Sequence, residues 1–171
     1  MGPIEAVFLT IMIIFGVVGV VRGYARELGV TTMLLLALFI LEILDERYIS
    51  QFYSLLSRLD VPATSQAEVK TLIFVVFLIV ITFISYQGET LSFPGKGKSN
   101  VYSLGAGLLN GYLFAGSLWY YLDKVGWPQM RVTDDFTPFY HMAIKVLPPQ
   151  IFRWEYLIAL AVLMLIMRVW K

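Results

Sequence analysis

Long runs with almost no charge constrain this chain more than any other feature. Residues 4–21 carry one charged side chain, Glu5, and residues 28–44 carry only Glu42. Residues 70–86 carry only Lys70, and residues 101–122 carry none. Residues 155–169 form a shorter run with Glu155 and Arg168 near its ends. A bilayer core about 30 Å thick is crossed by about 20 apolar residues in a helix. Lipid offers no partner for a free N–H or C=O, so a spanning segment must satisfy its own backbone, which a helix does. The expected fold is an all-α integral membrane protein with four to five transmembrane helices, the fifth near the lower length limit. The first run has no preceding Lys or Arg and no small-residue cleavage pattern, so it is read as a retained helix and not a signal peptide.

Composition agrees with this and narrows the chemistry. Of 171 residues 58% are hydrophobic, against ~45–50% apolar in soluble domains. The absence of Cys removes disulfides and thiolate metal sites, and the single His141 removes a multi-His cluster. A net charge of +1 leaves no nucleic-acid footprint. No cofactor, metal or nucleic acid is expected.

The connections have patterns of their own. Arg22-Gly23-Tyr24-Ala25-Arg26-Glu27 is so short that the first two runs must form an N-terminal helical hairpin. In residues 45–59, Tyr48, Ile49, Phe52, Leu55, Leu56 and Leu59 recur at helical spacing, which predicts an interfacial amphipathic helix. Ser65 to Glu68 fits a capping box for the third run. Thr137-Pro138 predicts a helix start, with that helix running through Leu147 and stopping at Pro148-Pro149.

Charge density sets the expected orientation. The short turns hold Arg22, Arg26, Lys96 and Lys98, while the longer loops dilute their basic residues. Lys and Arg mark the cytoplasmic side. The N-terminus is therefore expected outside and the C-terminus in the cytoplasm.

Several residues invite a functional reading. Residues 93–99 end like a phosphate-binding loop, but Ser92 stands where the first glycine belongs and no strand precedes it. Lys96 and Lys98 are read instead as a basic turn suited to anionic lipid headgroups. Ser103, Gly107, Gly111 and Ala115 form a small-residue ridge, and Gly16, Gly19 and Gly23 form a second patch. Small residues let helices approach closely in lipid. Packing within the chain is the expected use, with self-association as the alternative. Isoleucine is expected to disrupt Gly107 or Gly111 and to be tolerated at Leu108 or Leu113. Asn110 is expected to form an interhelical hydrogen bond. The intramembrane acids Glu5 and Glu42 lie at similar depth near the outer boundary, where a carboxylate can reach water. His141 lacks any nucleophile signature nearby, so no catalytic residue is assigned.

The string Gly19-Val20-Val21-Arg22-Gly23-Tyr24-Ala25-Arg26-Glu27 resembles the G-x-x-R-G-[FY]-x-R-E signature of the colicin V production protein family. The ridge of the fourth run and the stretch around Pro138 and Pro148 resemble that family too, over about residues 1–150. Ser103 departs from a usual glycine, and Asn110 stands where many members carry Lys or Arg. The resemblance implies a four-helix membrane domain at 1–150, with 151–171 as an additional C-terminal transmembrane helix. It also implies a non-enzymatic protein of the bacterial inner membrane, tied to colicin (toxin) production and envelope maintenance or export. Expected partners are membrane lipids, with a larger membrane complex or a homo-oligomer also open. The alternative is a small accessory or scaffolding subunit of a respiratory or photosynthetic complex. A transporter fits less well, because buried ionisable residues are few and no inverted repeat is evident.

Overall fold

A single residue, Gly23, separates the first two long helices, α1 (Pro3–Arg22) and α2 (Tyr24–Arg47). Its φ of +89° lies where a side chain would be strained, so glycine is what permits so abrupt a turn. The computed structural model describes residues 2–88, 93, 100–126 and 137–170. Every regular element among them is helical. After α2 come α3 (Ile49–Arg58), a 3-10 turn (Ala63–Ser65), α4 (Gln66–Gln87) and α5 (Asn100–Lys124). The chain closes with α6 (Pro138–Ile144), α7 (Pro148–Ile151) and α8 (Trp154–Val169).

Three stretches among the described residues are long and apolar enough to cross a membrane: Ile4–Arg22, Tyr24–Arg47 and Ala63–Gln87. This is fewer than the four to five expected. α5 has the length, at 25 residues, but Ser103, Asn110, Ser117 and its glycines lower its apolarity. That composition suits its position, since α5 packs against α1, α2, α4 and α7 and turns its polar residues toward protein. α8 has 16 residues, about 24 Å at 1.5 Å per residue.

Contact pairs fix the helix directions. α1 runs antiparallel to α5, with Phe8 on Trp119 (5.3 Å between ring centroids) and Phe15 on Phe114 (5.4 Å). α2 runs parallel to α5, because Thr31 meets Asn110, Glu42 meets Tyr121 and Asp45 meets Lys124. α4 opposes both, with Lys70 on Asp45 and Tyr86 on Glu27. Direction thus alternates along the sequence. Gly23 lies at one end of the bundle, the turn end, and α3 and α6 lie toward the other, the loop end.

The hairpin differs from expectation in one respect. α1 lies along α5 and only lightly against α2. Its glycines face α5: a Cβ on Gly19 would sit 2.5 Å from the Ser103 carbonyl oxygen and 2.8 Å from the Gly107 Cα. The main core lies between α2, α4, α5 and α8, around Leu34, Leu38, Phe74, Leu78, Leu113 and Leu157.

Other local expectations also shift. The amphipathic run divides at Tyr48, so residues 45–47 belong to α2. α3 buries Leu56 and sets Phe52 against Phe74, while Ser50, Ser54, Leu55 and Arg58 stay exposed. Ser65 makes no side-chain cap; the 3-10 turn enters α4 directly. Thr137 does cap α6, accepting from the Tyr140 N–H. Pro148-Pro149 begins α7 and does not end the preceding helix, consistent with the freedom of proline in a first turn. Pro148 rests on Gly116, where a Cβ would meet its Cδ at 2.6 Å. Gly116 lies eight residues before Lys124, about 12 Å down the helix. The chain therefore descends beside α5 before α8 starts, and Trp154 at the head of α8 lies 6.4 Å from Phe39 of α2 between ring centroids.

Candidate functional site: a buried ion pair at the turn end

Arg22 ends α1 and Glu27 occupies the first turn of α2, so the glycine break places opposite charges side by side. Glu27 is fully buried, at 0% exposure. A carboxylate there is tolerable only if paired and hydrogen-bonded. It is both. Oε1 accepts from Arg22 at 3.1 Å. Oε2 accepts from the Tyr86 hydroxyl at 2.9 Å and from Asn110 Nδ2 at 2.8 Å. Asn110 Nδ2 also lies 3.1 Å from the Glu27 carbonyl oxygen, and the Thr31 hydroxyl donates to Asn110 Oδ1 at 2.7 Å. The Arg22 guanidinium sits 4.4 Å above the Tyr86 ring, where the negative π face attracts it. One cluster thus ties α1, α2, α4 and α5 together. With both carboxylate oxygens engaged, its geometry serves to fix helix positions.

The ridge lies beside this cluster. A Cβ on Gly107 would sit 3.0 Å from the Gly16 Cα and 3.1 Å from the Gly19 Cα, and closer still to the Phe15 carbonyl oxygen. A Cβ on Gly111 would sit 2.8 Å from the Met12 Cα. Ser103 and Ala115 are buried on the same helix. Arg26 is exposed. Lys96 and Lys98 lie outside the described residues.

Polar groups also gather toward the loop end. Asp45 accepts from Lys70 at 2.6 Å and from Lys124 at 2.8 Å, joining α2, α4 and α5. Glu42 accepts from the Tyr121 hydroxyl at 3.1 Å. Glu5 accepts from the Thr137 hydroxyl and the Gly2 N–H. Contrary to the expectation that these two acids reach water, both are buried, and each has its own partner. Helix packing covers them before their short side chains can extend outward. Among the described residues, Trp119 Nε1 is buried without a hydrogen-bond partner.

In the sequence, Arg22 marks a basic turn, Glu27 ends the family-like string, and Asn110 stands apart as an amide of the fourth run. The fold brings the three together. Tyr86 and Thr31 were missed. Thr31 was accessible in principle, because it lies four residues after Glu27 and so on the same helical face. Tyr86 gave no such signal, since its partner is distant in sequence.

The described residues define an all-helical protein with three helices fit to cross a membrane, joined by buried polar contacts near both ends. No family model, curated protein or solved structure matches this chain.

Proposed function

We propose that this chain is a multi-pass protein of the bacterial inner membrane of the colicin V production type. In this reading it acts without enzymatic chemistry, through helix and lipid contacts, in envelope maintenance or export. One observation carries the proposal: the string that resembles that family is the one whose Arg22 and Glu27 meet Asn110 and Tyr86 in the buried cluster. The resemblance thus falls on the residues that organise the bundle. Alternating helix direction supports five crossings, with α5 sheltered at the centre and α8 starting below the loop end. Residues 1–150 form the family-like domain and 151–171 add α8. The N-terminus lies outside and the C-terminus in the cytoplasm, because Arg22 and Arg26 sit in the shortest turn.

Two experiments test this. Reporter fusions at residue 97 and at the C-terminus should both read cytoplasmic; an external C-terminus removes either the fifth crossing or the orientation. Expression in a bacterium lacking its own colicin V production protein should restore colicin export. Normal insertion without restored export overturns the functional reading. A larger partner retained in stoichiometric amount through mild-detergent purification would favour the accessory-subunit role instead.

A further inference from the structure

The last part of the chain enters the bundle by a broken route. Asp45, Lys70 and Lys124 mark one level at the loop end. α6 starts near it, where the Tyr140 hydroxyl donates to Asp123. The turn after α6 lies deeper. The Tyr112 hydroxyl donates to the Val146 carbonyl, and Pro148 rests on Gly116. Tyr112 and Gly116 are 12 and 8 residues before Lys124, about 18 and 12 Å down α5. α8 then starts beside α2, with the Trp154 ring on Phe39. Phe39 is six residues before Asp45, about 9 Å from the loop-end level.

Charged groups sit in this break. Lys145 is exposed and has no ion pair among the described residues. Val146 beside it is 53% exposed. Arg153 and Glu155 pair at 3.1 Å with both side chains partly exposed. Glu155 Oε2, however, is buried without a hydrogen-bond partner among the described residues. The same level of α4 is different. Val80, ten residues after Lys70, is exposed among Ile79, Phe83 and Ile84.

Lipid suits the α4 surface and not the break. It satisfies neither an unpaired cation nor a bare carboxylate oxygen. A non-helical segment at membrane depth is stable where protein buries it or water fills the space beside it. Lys145, Val146 and Arg153 are uncovered, which leaves water.

Resting on the membrane reading above, we propose that the break between α6 and α8 opens an aqueous vestibule from the loop end to the level of Gly116. Two cations, Lys145 and Arg153, face one carboxylate, Glu155, so the vestibule favours small anions over small cations.

The chain has no Cys, so each substitution supplies a single thiol. The test places Val146→Cys, Val80→Cys or Glu68→Cys in the full chain, in phosphatidylcholine vesicles. Glu68 is exposed at the loop end. Membrane-impermeant methanethiosulfonates, one anionic and one cationic, are added on the face where Glu68→Cys reacts. Only the thiolate reacts and an apolar setting suppresses it, so Val146→Cys should react at least about ten-fold faster than Val80→Cys. Adding Lys145→Gln to Val146→Cys should lower the anionic-to-cationic rate ratio by about two- to five-fold at low salt. Val146→Cys reacting as slowly as Val80→Cys overturns the vestibule and leaves the membrane reading standing. A rate ratio unchanged by Lys145→Gln overturns the anion preference. Val80→Cys reacting as fast as Glu68→Cys overturns the membrane reading and the vestibule together.

Discussion

Replacing Gly107 with Ala tests the packing of α1 on α5 by adding a single methyl group. That group would lie 3.0 and 3.1 Å from two backbone Cα atoms of α1 and closer still to the Phe15 carbonyl oxygen. No flexible side chain can yield there, so the helices must separate, by about 1 Å to restore ordinary contact. A radial gap of 0.5–1 Å forfeits roughly a quarter to a half of each contact's attraction. Overpacking of this kind costs about 1–3 kcal/mol, and Ile at Gly107 should cost more. In lipid nothing offsets the loss, because apolar side chains gain little by leaving it. Gly105 is the matched control: it lies on the same helix, and a Cβ there meets nothing within 4 Å. Gly105→Ala should stabilise by about 0.5–1 kcal/mol through helix propensity alone. It serves better than Leu108, which lies on Gly16, or Leu113, which is fully buried. The assay is reversible unfolding in detergent, followed by helical circular dichroism. Equal stability of Gly107→Ala and Gly105→Ala would refute the argument, because α1 would then have room to move at no cost.

Two further perturbations probe the polar cluster and the descending segment. Arg22→Gln leaves the buried Glu27 without its cation and should cost about 3–5 kcal/mol, whereas Glu27→Gln should cost less because Arg22 retains some exposure. The double variant should lose less than the sum of the two in the same unfolding assay, and strict additivity would mean that they do not interact. Gly116→Leu should displace Pro148, which a Cβ would meet at 2.6 Å, and lower stability by about 1–3 kcal/mol. Limited proteolysis should then cut faster between α7 and α8, and an unchanged cleavage rate would show that the segment is not held there by α5.

The helical class and the apolar stretches were legible in the sequence because both follow from local causes. Charge-free runs and the Thr137 cap need no distant partner to be read. Spacing by four placed Ser103, Gly107, Gly111 and Ala115 on one ridge, since helical period alone determines that. The neighbour of the ridge was not legible. Gly19 pairs with Gly107 across more than eighty residues, and the short turn at residues 22–27 suggested closure on α2 instead. Only three of the described helices are long and apolar enough by themselves to cross a membrane. α5 carries Ser103, Asn110 and Ser117, which are buried against neighbouring helices, and α8 has only 16 residues. The polar cluster shows the same division. Arg22 and Glu27 adjoin in sequence, so their pairing was within reach of local reasoning. Tyr86 and Asn110 join them only because α4 and α5 pack at one register against α2, and that register is set by side chains meeting across helices.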